Sequence, residues 1–574
     1  MPRLALAVAS AASLLLACHA GRKPAAAKPE AAGPALFVRG NLVRADGTVL
    51  PDAVVAVEGN RIARVGTARE VPVPAGANVV GGPDRWIVPG LIDAHVHFFQ
   101  SGGLYTRPDV VDLTARVPYA KETAAVRAAL PGTFRRYLRA GVTSVVDFGG
   151  PNWNFEVREL ASRTPLAPRV EVAGPLLSSV SRPQLDLGDP PIVQVTEPEA
   201  ARAMVRAQAE RKPDFIKLWY VVPAGQTPET WLPVARAAIE QAHALGLRVA
   251  VHATELETAR AALRAGADVL VHSVVNADVD DDFIALLRSH DVPYVTTLTV
   301  LAGYARVLGR EVRFTPADME LADPAVAATL VDPVAPPEPG RTRRGVTPEA
   351  MRNAKRLWDA GVVVAAGSDA GNIGTFHAAG LHDELALLVQ AGLTPAQALA
   401  AATANAARVM GRPDLGAVEP GKLADLLVLS ANPLDGVANL RRIELVVKDG
   451  VPRRPDEILP RTAADVVQAQ VNAYNAQDLD ALLSTYSDDA VIAKAATGEV
   501  QTSGKAALRE RTGATFRKFP SARVRVAERR AEGDRAVLDH VIVTGRGPDW
   551  PDPWDAGWVR YEVVGGLIRR VELP

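Results

Sequence analysis

The sequence is short of cysteine, of aromatic residues and of excess charge. It has one cysteine among 574 residues, so the chain cannot form an internal disulfide framework. Its 64 basic and 65 acidic residues nearly cancel, and no basic run dominates, which argues against nucleic acid as a partner. Aromatic residues make up 5% of the chain and hydrophobic residues 48%, so we expect folded domains with aliphatic cores.

The sequence also lacks any apolar run long enough to span a membrane as a mature helix. Its one extended apolar run covers residues 4–17, follows Met1-Pro2-Arg3 and stops just before Cys18. A positive start, a short apolar run and a small residue before the cut are typical of a secretory signal. We therefore expect a signal peptide over residues 1–17 and, after it, a flexible Ala-, Pro- and Lys-rich tether over residues 18–34.

The end of this run resembles a known processing site. Leu15-Leu16-Ala17-Cys18 is similar to the lipobox of bacterial lipoproteins, which implies cleavage before Cys18 and lipid attachment to its sulfur. An ordinary signal with an incidental cysteine is the alternative. The lipobox interpretation predicts a protein of the bacterial cell envelope, anchored to the membrane through Cys18 on the periplasmic or extracytoplasmic side.

Strand patterns alternate with helix patterns from residue 89 to residue 411. Near-continuously apolar strands separated by helices predict a parallel sheet, and eight such units match a closed (β/α)8 TIM barrel. A long insertion at 301–346 is a candidate lid or substrate collar. The eight predicted strands are Val88–Phe98, Val142–Phe148, Arg169–Ala173, Asp214–Trp219, Arg248–His252, Asp268–His272, Val292–Leu298 and Gly361–Asp369.

The two flanks of this region carry a different pattern. Short strands separated by turns occupy residues 35–88 and return at 412–458, which predicts one small β-sandwich domain built from both flanks. Residues 462–574 begin with helix patterns and continue with long strands, which predicts a separate α+β domain. The chain as a whole is therefore expected to be α/β with about three domains.

The segment Asp93-Ala94-His95-Val96-His97 places two histidines two residues apart on a buried strand. Successive strand side chains point to opposite faces, so His95 and His97 share a face. Two neutral imidazoles side by side can form half of a divalent-metal site. By itself, the pattern more often marks two histidines that are merely buried and hydrogen-bonded.

Four further ionisable residues stand at the ends of later strands. Because the carboxyl ends of barrel strands converge on one face, these side chains are expected to lie near His95 and His97. Histidines that close strands one, five and six, with an aspartate closing strand eight, indicate a functional site. The four residues are Lys217, His252, His272 and Asp369.

These segments together resemble the amidohydrolase superfamily. The resemblance rests on the sequences at 89–97, 251–253, 271–273 and 367–371, and also on 384–395 and 421–426. It covers residues 35 to 455 and fits the imidazolonepropionase-like and prolidase-like dipeptidase branches best.

The resemblance implies a site with two divalent metal ions, for which we expect Zn²⁺. His95 and His97 would hold the more buried ion together with Asp369, and His252 and His272 would hold the second. Lys217, carboxylated by carbon dioxide, would bridge the two ions. A lysine in an apolar strand has a lowered pKa, which makes the reactive neutral amine accessible.

Other roles remain open for two of these residues. Lys217 could instead be a snorkelling side chain or a substrate-binding ammonium, and the site would then be mononuclear. Asp369 would be the catalytic residue, accepting a proton from the attacking water and donating it to the leaving nitrogen, and whether it also ligates a metal is left to the geometry. Asp93 would orient an imidazole from below the site.

The sequence departs from many relatives after the third strand. Those relatives carry Gly-Gly-His, whereas this chain has Gly174-Pro175-Leu176-Leu177-Ser178, so their substrates do not transfer and the substrate-binding residues are unknown. Two later histidines, His377 and His382, are expected at the surface or at a helix cap.

The C-terminal unit resembles a different fold. Residues 471–480 and 486–491 are similar to the SnoaL-like, nuclear-transport-factor-like cone, whose members bind small molecules or dimerise, so a homo-oligomer is an open expectation.

Two functions follow from these observations. The first is a metal-dependent amidohydrolase that cleaves an amide, peptide or cyclic amide bond of a small-molecule substrate by metal-activated hydroxide, dipeptidase-like or acting on N-acyl amino acids. The alternative is a catalytically inert lipoprotein that binds small molecules through the cone domain. The intact set of ionisable residues favours the enzyme.

Overall fold

The structure is a computed structural model that describes residues 36–332 and 345–574. The predicted signal peptide, tether and lipidated Cys18 lie outside the described residues. Within those ranges, no helix has the length and apolar character needed to cross a membrane.

The chain begins with four strands of a mixed sheet. Hydrophobic side chains at alternate positions of these strands face a core under the sheet, as the burial of Val55, Val57 and Ile62 shows. The strands are β1 (Leu36–Val43), β2 (Val49–Glu58), β3 (Arg61–Thr67) and β4 (Val79–Pro89).

The central region alternates short strands with helices. Its strands are β5 (Leu91–Val96), β6 (Val142–Asp147), β7 (Arg169–Val172), β8 (Leu176–Ser178), β9 (Ile192–Gln194), β10 (Phe215–Trp219), β11 (Arg248–His252), β12 (Val269–Val271), β13 (Tyr294–Val295) and β14 (Val364–Ala365). Its helices are α1 (Tyr119–Arg139), α2 (Asn154–Arg163), α3 (Pro198–Ala209), α4 (Leu232–Ala244), α5 (Leu256–Ala265), α6 (Asp281–Ser289), α7 (Leu298–Leu308), α8 (Pro316–Leu321), α9 (Pro324–Leu330), α10 (Pro348–Asp359), α11 (Ala379–Gln390), α12 (Pro395–Ala401) and α13 (Ala404–Met410).

Parallel pairing runs through the central strands in a cycle. β5, β6 and β7 form one parallel sheet, and β10 to β14 pair in parallel in chain order in another. Single parallel bridges join the two sheets at both ends, between Ala173 and Phe215 and between Val96 and Ala370. The carboxyl ends of these strands therefore face the same side of the region.

Three strands and a short helix follow the central region: β15 (Leu426–Leu429), β16 (Ile443–Lys448), β17 (Val451–Arg453) and α14 (Pro455–Ile458). β15 pairs antiparallel with β4, so strands from both flanks form one seven-stranded sheet in the order β17-β16-β15-β4-β1-β2-β3. The first flank and the second flank thus share a single hydrogen-bonded layer beside β5.

The C-terminal region is a six-stranded sheet with three helices. Its elements are α15 (Ala463–Asn475), α16 (Leu479–Ser484), β18 (Tyr486–Lys494), β19 (Val500–Ser503), α17 (Lys505–Lys518), β20 (Arg523–Glu532), β21 (Ala536–Thr544), β22 (Trp554–Val564) and β23 (Leu567–Leu573). The strand order is β19-β18-β23-β22-β21-β20.

Several sequence-based expectations of local structure are wrong. The eighth predicted strand, Gly361–Asp369, is reduced to Val364–Ala365. The seventh predicted strand, Val292–Leu298, is shortened to Tyr294–Val295 because α7 already begins at Leu298. The insertion at 301–346 is expected to be loop, yet its described part contains most of α7 and all of α8 and α9; the proline-rich run 331–340, on which that expectation rests, lies almost wholly outside the described residues. Its prolines Pro316 and Pro324 occupy the first turns of α8 and α9, where the missing N–H costs nothing. The short strands β8 and β9 were not anticipated.

A glycine at the entry to β5 gives the first test of this packing. A Cβ at Gly90 would lie 2.3 Å from Thr143 Oγ1 in β6, so Gly90→Ala forces the two strands apart. Overpacking of this kind costs about 1–3 kcal/mol, and we expect a lower melting temperature in thermal unfolding.

Gly132 in α1 is the matched control, because nothing lies within 4 Å of an added Cβ. Gly132→Ala should raise stability by up to about 1 kcal/mol, since alanine favours a helix. Equal melting temperatures for the two variants would contradict the close contact between β5 and β6.

Candidate active site

The two histidines of the first central strand lie side by side in the interior. His95 is inside β5 and His97 directly follows it, and both side chains are buried. Their Nε2 atoms are 3.3 Å apart. The strand therefore presents two imidazole nitrogens to one space, as the spacing of the sequence predicts.

A carboxylate from the end of β14 completes a triangle with these nitrogens. Asp369 Oδ1 lies 3.6 Å from His95 Nε2 and 3.3 Å from His97 Nε2. Ligand atoms at about 2.1 Å from a tetrahedral cation stand about 3.4 Å apart, so these distances fit one ion. Among the described residues this is the one group of three or more His, Cys or acidic side chains whose ligand atoms come together closely enough to hold a metal.

Two further imidazoles lie beside this triangle. His252 ends β11 and His272 follows β12, and their ring centroids are 4.2 Å apart. The His272 ring lies 4.7 Å from that of His95, and its Nδ1 is 3.9 Å from Asp369 Oδ2. The four histidines and Asp369 thus surround one space.

Lys217 reaches the same space from the middle of β10. Its side chain is buried, and Nζ has no hydrogen-bond partner among the described residues. Nζ lies 4.9 Å from the centre of the Phe148 ring. Burial lowers the pKa of Lys217, against the pull of Asp369 and Asp147, so the neutral amine is accessible.

A hydrogen bond fixes which nitrogen of His97 faces the site, and His272 has a contact of the same kind. His97 Nδ1 lies 2.7 Å from the carbonyl oxygen of Gly149, which can only accept, so Nδ1 donates and Nε2 keeps its lone pair. His272 Nδ1 is 2.8 Å from Thr297 Oγ1. Burial lowers the pKa of His97 to about 3 and also lowers that of His95 and His272, so these imidazoles are neutral.

A buried glutamate holds the Thr297 region in place. Glu384 of α11 accepts hydrogen bonds from Thr296 Oγ1 and from the backbone N–H groups of Thr297 and Thr299, at 2.5 to 3.0 Å. The carboxylate, which is remote from α7 in the sequence, therefore caps the N-terminus of that helix. It also fixes Thr297, whose left-handed φ of 83° aims its hydroxyl at His272.

A cavity of about 130 Å³ opens beside the triangle. One wall is apolar and comes from several elements: Phe99, Leu176, Ile192, Trp219, Val275, Val300 and Leu301. Another wall is polar. There Arg107 Nη1 donates to Asn372 Oδ1 at 2.6 Å and to Tyr304 Oη at 3.2 Å, while Asp109 holds the other side of the guanidinium.

Comparisons with known proteins identify two families in the chain. The model of the amidohydrolase family matches residues 86–453, and that of the SnoaL-like domain matches residues 467–571. The chain belongs to the amidohydrolase family.

Relatives of this amidohydrolase differ in what is known of them. An uncharacterised protein of Mycobacterium tuberculosis (strain H37Rv) is 31% identical over 382 residues, which cover 66% of this chain and 87% of that protein. An imidazolonepropionase of Deinococcus deserti is 29% identical over 427 residues, covering 70% and 90%. The crystal structure of a Xaa-Pro dipeptidase with methionine in its active site shares the fold, with a TM-score of 0.57 and 21% identity over 73% of this chain and 99% of that one.

Three expectations about residues near the site are corrected by the amidohydrolase structure. Among the described residues, Asp93 has no hydrogen bond with an imidazole; it accepts hydrogen bonds from the Ser368 N–H and hydroxyl and from the backbone N–H of His95, and so joins β5 to the loop after β14. His377 and His382 are buried, not superficial. His377 stacks on Phe98 and contacts the Gln100 carbonyl, and His382 contacts the Ala140 carbonyl.

The sequence pattern also missed residues that line or support the site. Arg107, Tyr304 and Asn372 form the polar wall, and Thr297 and Glu384 support His272. Arg107 and Asn372 lie in the loops that follow the His95-Val96-His97 and Asp369 segments, and that position after a strand end is the signal that could have found them. Tyr304 carries no comparable local signal.

The role of Thr297 can be tested without a substrate. Thr297→Val keeps the shape of the side chain but removes the hydroxyl that contacts His272 Nδ1. Loss of such a supporting contact lowers metal affinity about 10- to 100-fold, and we expect this drop in competition with a chromophoric chelator.

Thr299→Val is the control, because it leaves the contact with His272 intact and lies on the same turn of α7. An affinity for Thr297→Val equal to that of the control would show that the hydroxyl does not orient a metal-binding imidazole.

Proposed function

We propose that the protein is a metal-dependent hydrolase of C–N bonds, acting on an amide, peptide or cyclic amide bond of a small molecule. The observation that carries the proposal is the triangle of His95 Nε2, His97 Nε2 and Asp369 Oδ1 at the edge of a cavity. The hydrolase chemistry of the family supports it, as do the names of an imidazolonepropionase and a Xaa-Pro dipeptidase among its relatives. We further propose that the cycle of parallel strands is the (β/α)8 barrel of this family.

The residues present fit two divalent cations, for which we propose Zn²⁺. Neutral imidazoles and a carboxylate are suitable zinc ligands, and Asp369 Oδ1 and Lys217 Nζ are buried without a hydrogen-bond partner among the described residues. His95, His97 and Asp369 would hold one ion, and His252 and His272 the other, with carboxylated Lys217 between them. When bound, such ions polarise a carbonyl and make water acidic enough to attack at neutral pH.

Asp369 is the proposed catalytic residue. Its carboxyl is buried at the edge of the cavity, within 3.6 Å of the Nε2 atoms of His95 and His97. It would take a proton from the attacking water and give it to the leaving nitrogen. The backbone N–H of Asp369 donates to the His95 carbonyl at 2.7 Å, which fixes the position of the carboxylate.

The walls of the cavity suggest the form of the substrate. The apolar wall fits an aliphatic or aromatic group, and Arg107 with Asn372 on the polar wall fits a polar or anionic group. N-acyl amino acids and dipeptides such as Xaa-Pro have this division, with an apolar part and a carboxylate. Leu176 and Ile192 of this wall belong to the short strands β8 and β9.

Substrate screening with an Asp369 variant tests the proposal. We expect hydrolysis of at least one member of a panel of N-acyl amino acids, Xaa-Pro and Xaa-Arg dipeptides and cyclic amides with Zn²⁺ added, and its loss on chelation. Asp369→Asn should lower kcat at least about 100-fold, because general acid–base catalysis contributes about that much or more. An inactive zinc-loaded wild type, or full activity of Asp369→Asn, would contradict the proposal.

The bridge has its own test in metal stoichiometry. Lys217→Ala removes the amine that would carry the carboxylate, so we expect bound metal to fall from two equivalents to one. Reconstitution of the wild type should also bind more metal with bicarbonate present than without it. Two equivalents in Lys217→Ala, measured by mass spectrometry of the purified protein, would refute the bridge.

The second candidate is an inert lipoprotein that binds a small molecule through its C-terminal domain, for which the SnoaL-like match is the supporting observation. We place the enzyme first because the metal-ligand triangle is complete.

We also propose attachment to the bacterial membrane through a lipid on Cys18, with the folded regions on the extracytoplasmic side. Cys18→Ser should move the protein from the membrane fraction to the soluble fraction, and continued sedimentation with membranes would contradict the anchor.

A further inference from the structure

The C-terminal domain forms hydrogen bonds with one segment of the central region, residues 313–324. Asn472 of α15 donates from Nδ2 to the Pro324 carbonyl at 2.7 Å, and the Phe314 N–H donates to Asp478 Oδ2 at 3.2 Å. Asn472 and Asp478 are buried, at 2% and 8% exposure. Arg313 adds hydrogen bonds to the carbonyls of residues 476 and 477, at 3.0 and 3.2 Å.

The side chains of Asn472 and Asp478 also form hydrogen bonds within the C-terminal domain. Asn472 Oδ1 accepts from Gln468 Nε2 at 2.9 Å. Asp478 Oδ1 accepts from the Ala481 N–H at 3.1 Å and so caps α16. The two residues therefore present fixed partners to residues 313–324, not mobile ones.

Residues 313–324 are connected to the cavity through α7. Arg306 of α7 donates from Nη1 to Asp318 Oδ2 at 2.7 Å. It also donates from Nη2 to the carbonyl of Gly374 at 2.5 Å, and Gly374 lies in the loop that follows Asp369. The preceding turns of α7 carry Val300, Leu301 and Tyr304, which line the cavity. The position of α8 therefore affects the position of the α7 side chains that line the cavity.

A second connection runs from α9 to the polar wall. Thr329 Oγ1 accepts from the Leu104 N–H at 2.9 Å, and the Tyr105 hydroxyl donates to Asp332 Oδ2 at 2.6 Å. Arg107, which faces the cavity, follows two residues after Tyr105. The segment from α7 to α9 therefore contacts the C-terminal domain on one side and both cavity walls on the other.

We propose that Asn472 and Asp478 are positioning residues for the substrate cavity: the C-terminal domain holds the α7–α9 segment, and that segment sets the places of Tyr304 and Arg107. The part that concerns substrate rests on the proposed function of this cavity. On this view the C-terminal domain serves the hydrolase by supporting its substrate wall and leaves the metal ligands to the central region.

Two asparagines of α15 give a matched pair of variants. Asn472→Asp loses one amide donor to a carbonyl of the central region and keeps its acceptor. Asn475→Asp loses an equivalent donor to the Val524 carbonyl, within the C-terminal domain, and likewise keeps its acceptor, which receives the Val524 N–H at 2.7 Å. The two changes break different contacts; each also leaves a carboxylate oxygen facing a carbonyl, and Asn472 is buried whereas Asn475 is half-buried.

Hydrogen exchange by mass spectrometry tests the support without any substrate. Loss of one hydrogen bond corresponds to about fivefold in a local opening equilibrium, so peptides from residues 298–332 should exchange about fivefold faster in Asn472→Asp. In Asn475→Asp these peptides should keep wild-type rates, and faster exchange should be confined to 463–475 and 522–526. Wild-type rates at 298–332 in Asn472→Asp, or equal acceleration in both variants, would overturn the proposal.

Kinetics test the link to the cavity. With any substrate found in the panel, Asn472→Asp should raise KM about fivefold, by the same hydrogen-bond argument, while kcat and metal content stay within about twofold of wild type. Asn475→Asp should leave KM unchanged. A fall in kcat or metal content with KM unchanged would overturn the proposed link. Absence of any hydrolysis by the wild type would count against the proposed function alone, since the exchange result is independent of activity.

Discussion

The structure depends on bringing unshared electron pairs together among buried side chains at the edge of a cavity. His95, His97 and Asp369 place two nitrogens and one oxygen within 3.6 Å of one another, and all three side chains are buried. Burying such groups without compensation costs free energy, as does the left-handed backbone at Asp369. Because these unfavourable features stand together at the edge of a cavity, we infer that a ligand binds there and compensates them. Two imidazole nitrogens and a carboxylate oxygen are donors that favour a metal cation.

The sequence contained enough to predict the members of this cluster. Each sits at or near the end of an apolar strand, and parallel strands bring their carboxyl ends together, so strand assignment alone predicted that His95, His252, His272 and Asp369 would meet. The supporting residues obey no local rule. Glu384 contacts Thr296 across 88 positions of sequence, and the two-residue strand before Thr296 is too short to show a pattern.

Other expectations failed because tertiary contacts override local signals. His377 looks like a helix-start histidine, but stacking on Phe98 and a hydrogen bond to a buried carbonyl place it inside. The proline-rich insertion reads as loop, yet Thr315 and Asp323 cap short helices whose prolines occupy the first turn. Those helices matter for function, because they carry the connection from the C-terminal domain to the cavity. The chemistry of the site was thus more predictable than its walls, since ligands lie on strands and the walls come from loops and insertions.

The central claim is that His95, His97 and Asp369 form a metal centre. Anomalous scattering from crystals of the zinc-loaded protein, recorded on both sides of the zinc edge, tests it most directly. The account predicts a strong anomalous peak about 2.1 Å from His95 Nε2, His97 Nε2 and one Asp369 oxygen. An anomalous map with no peak among these three side chains, at full zinc loading, would contradict it.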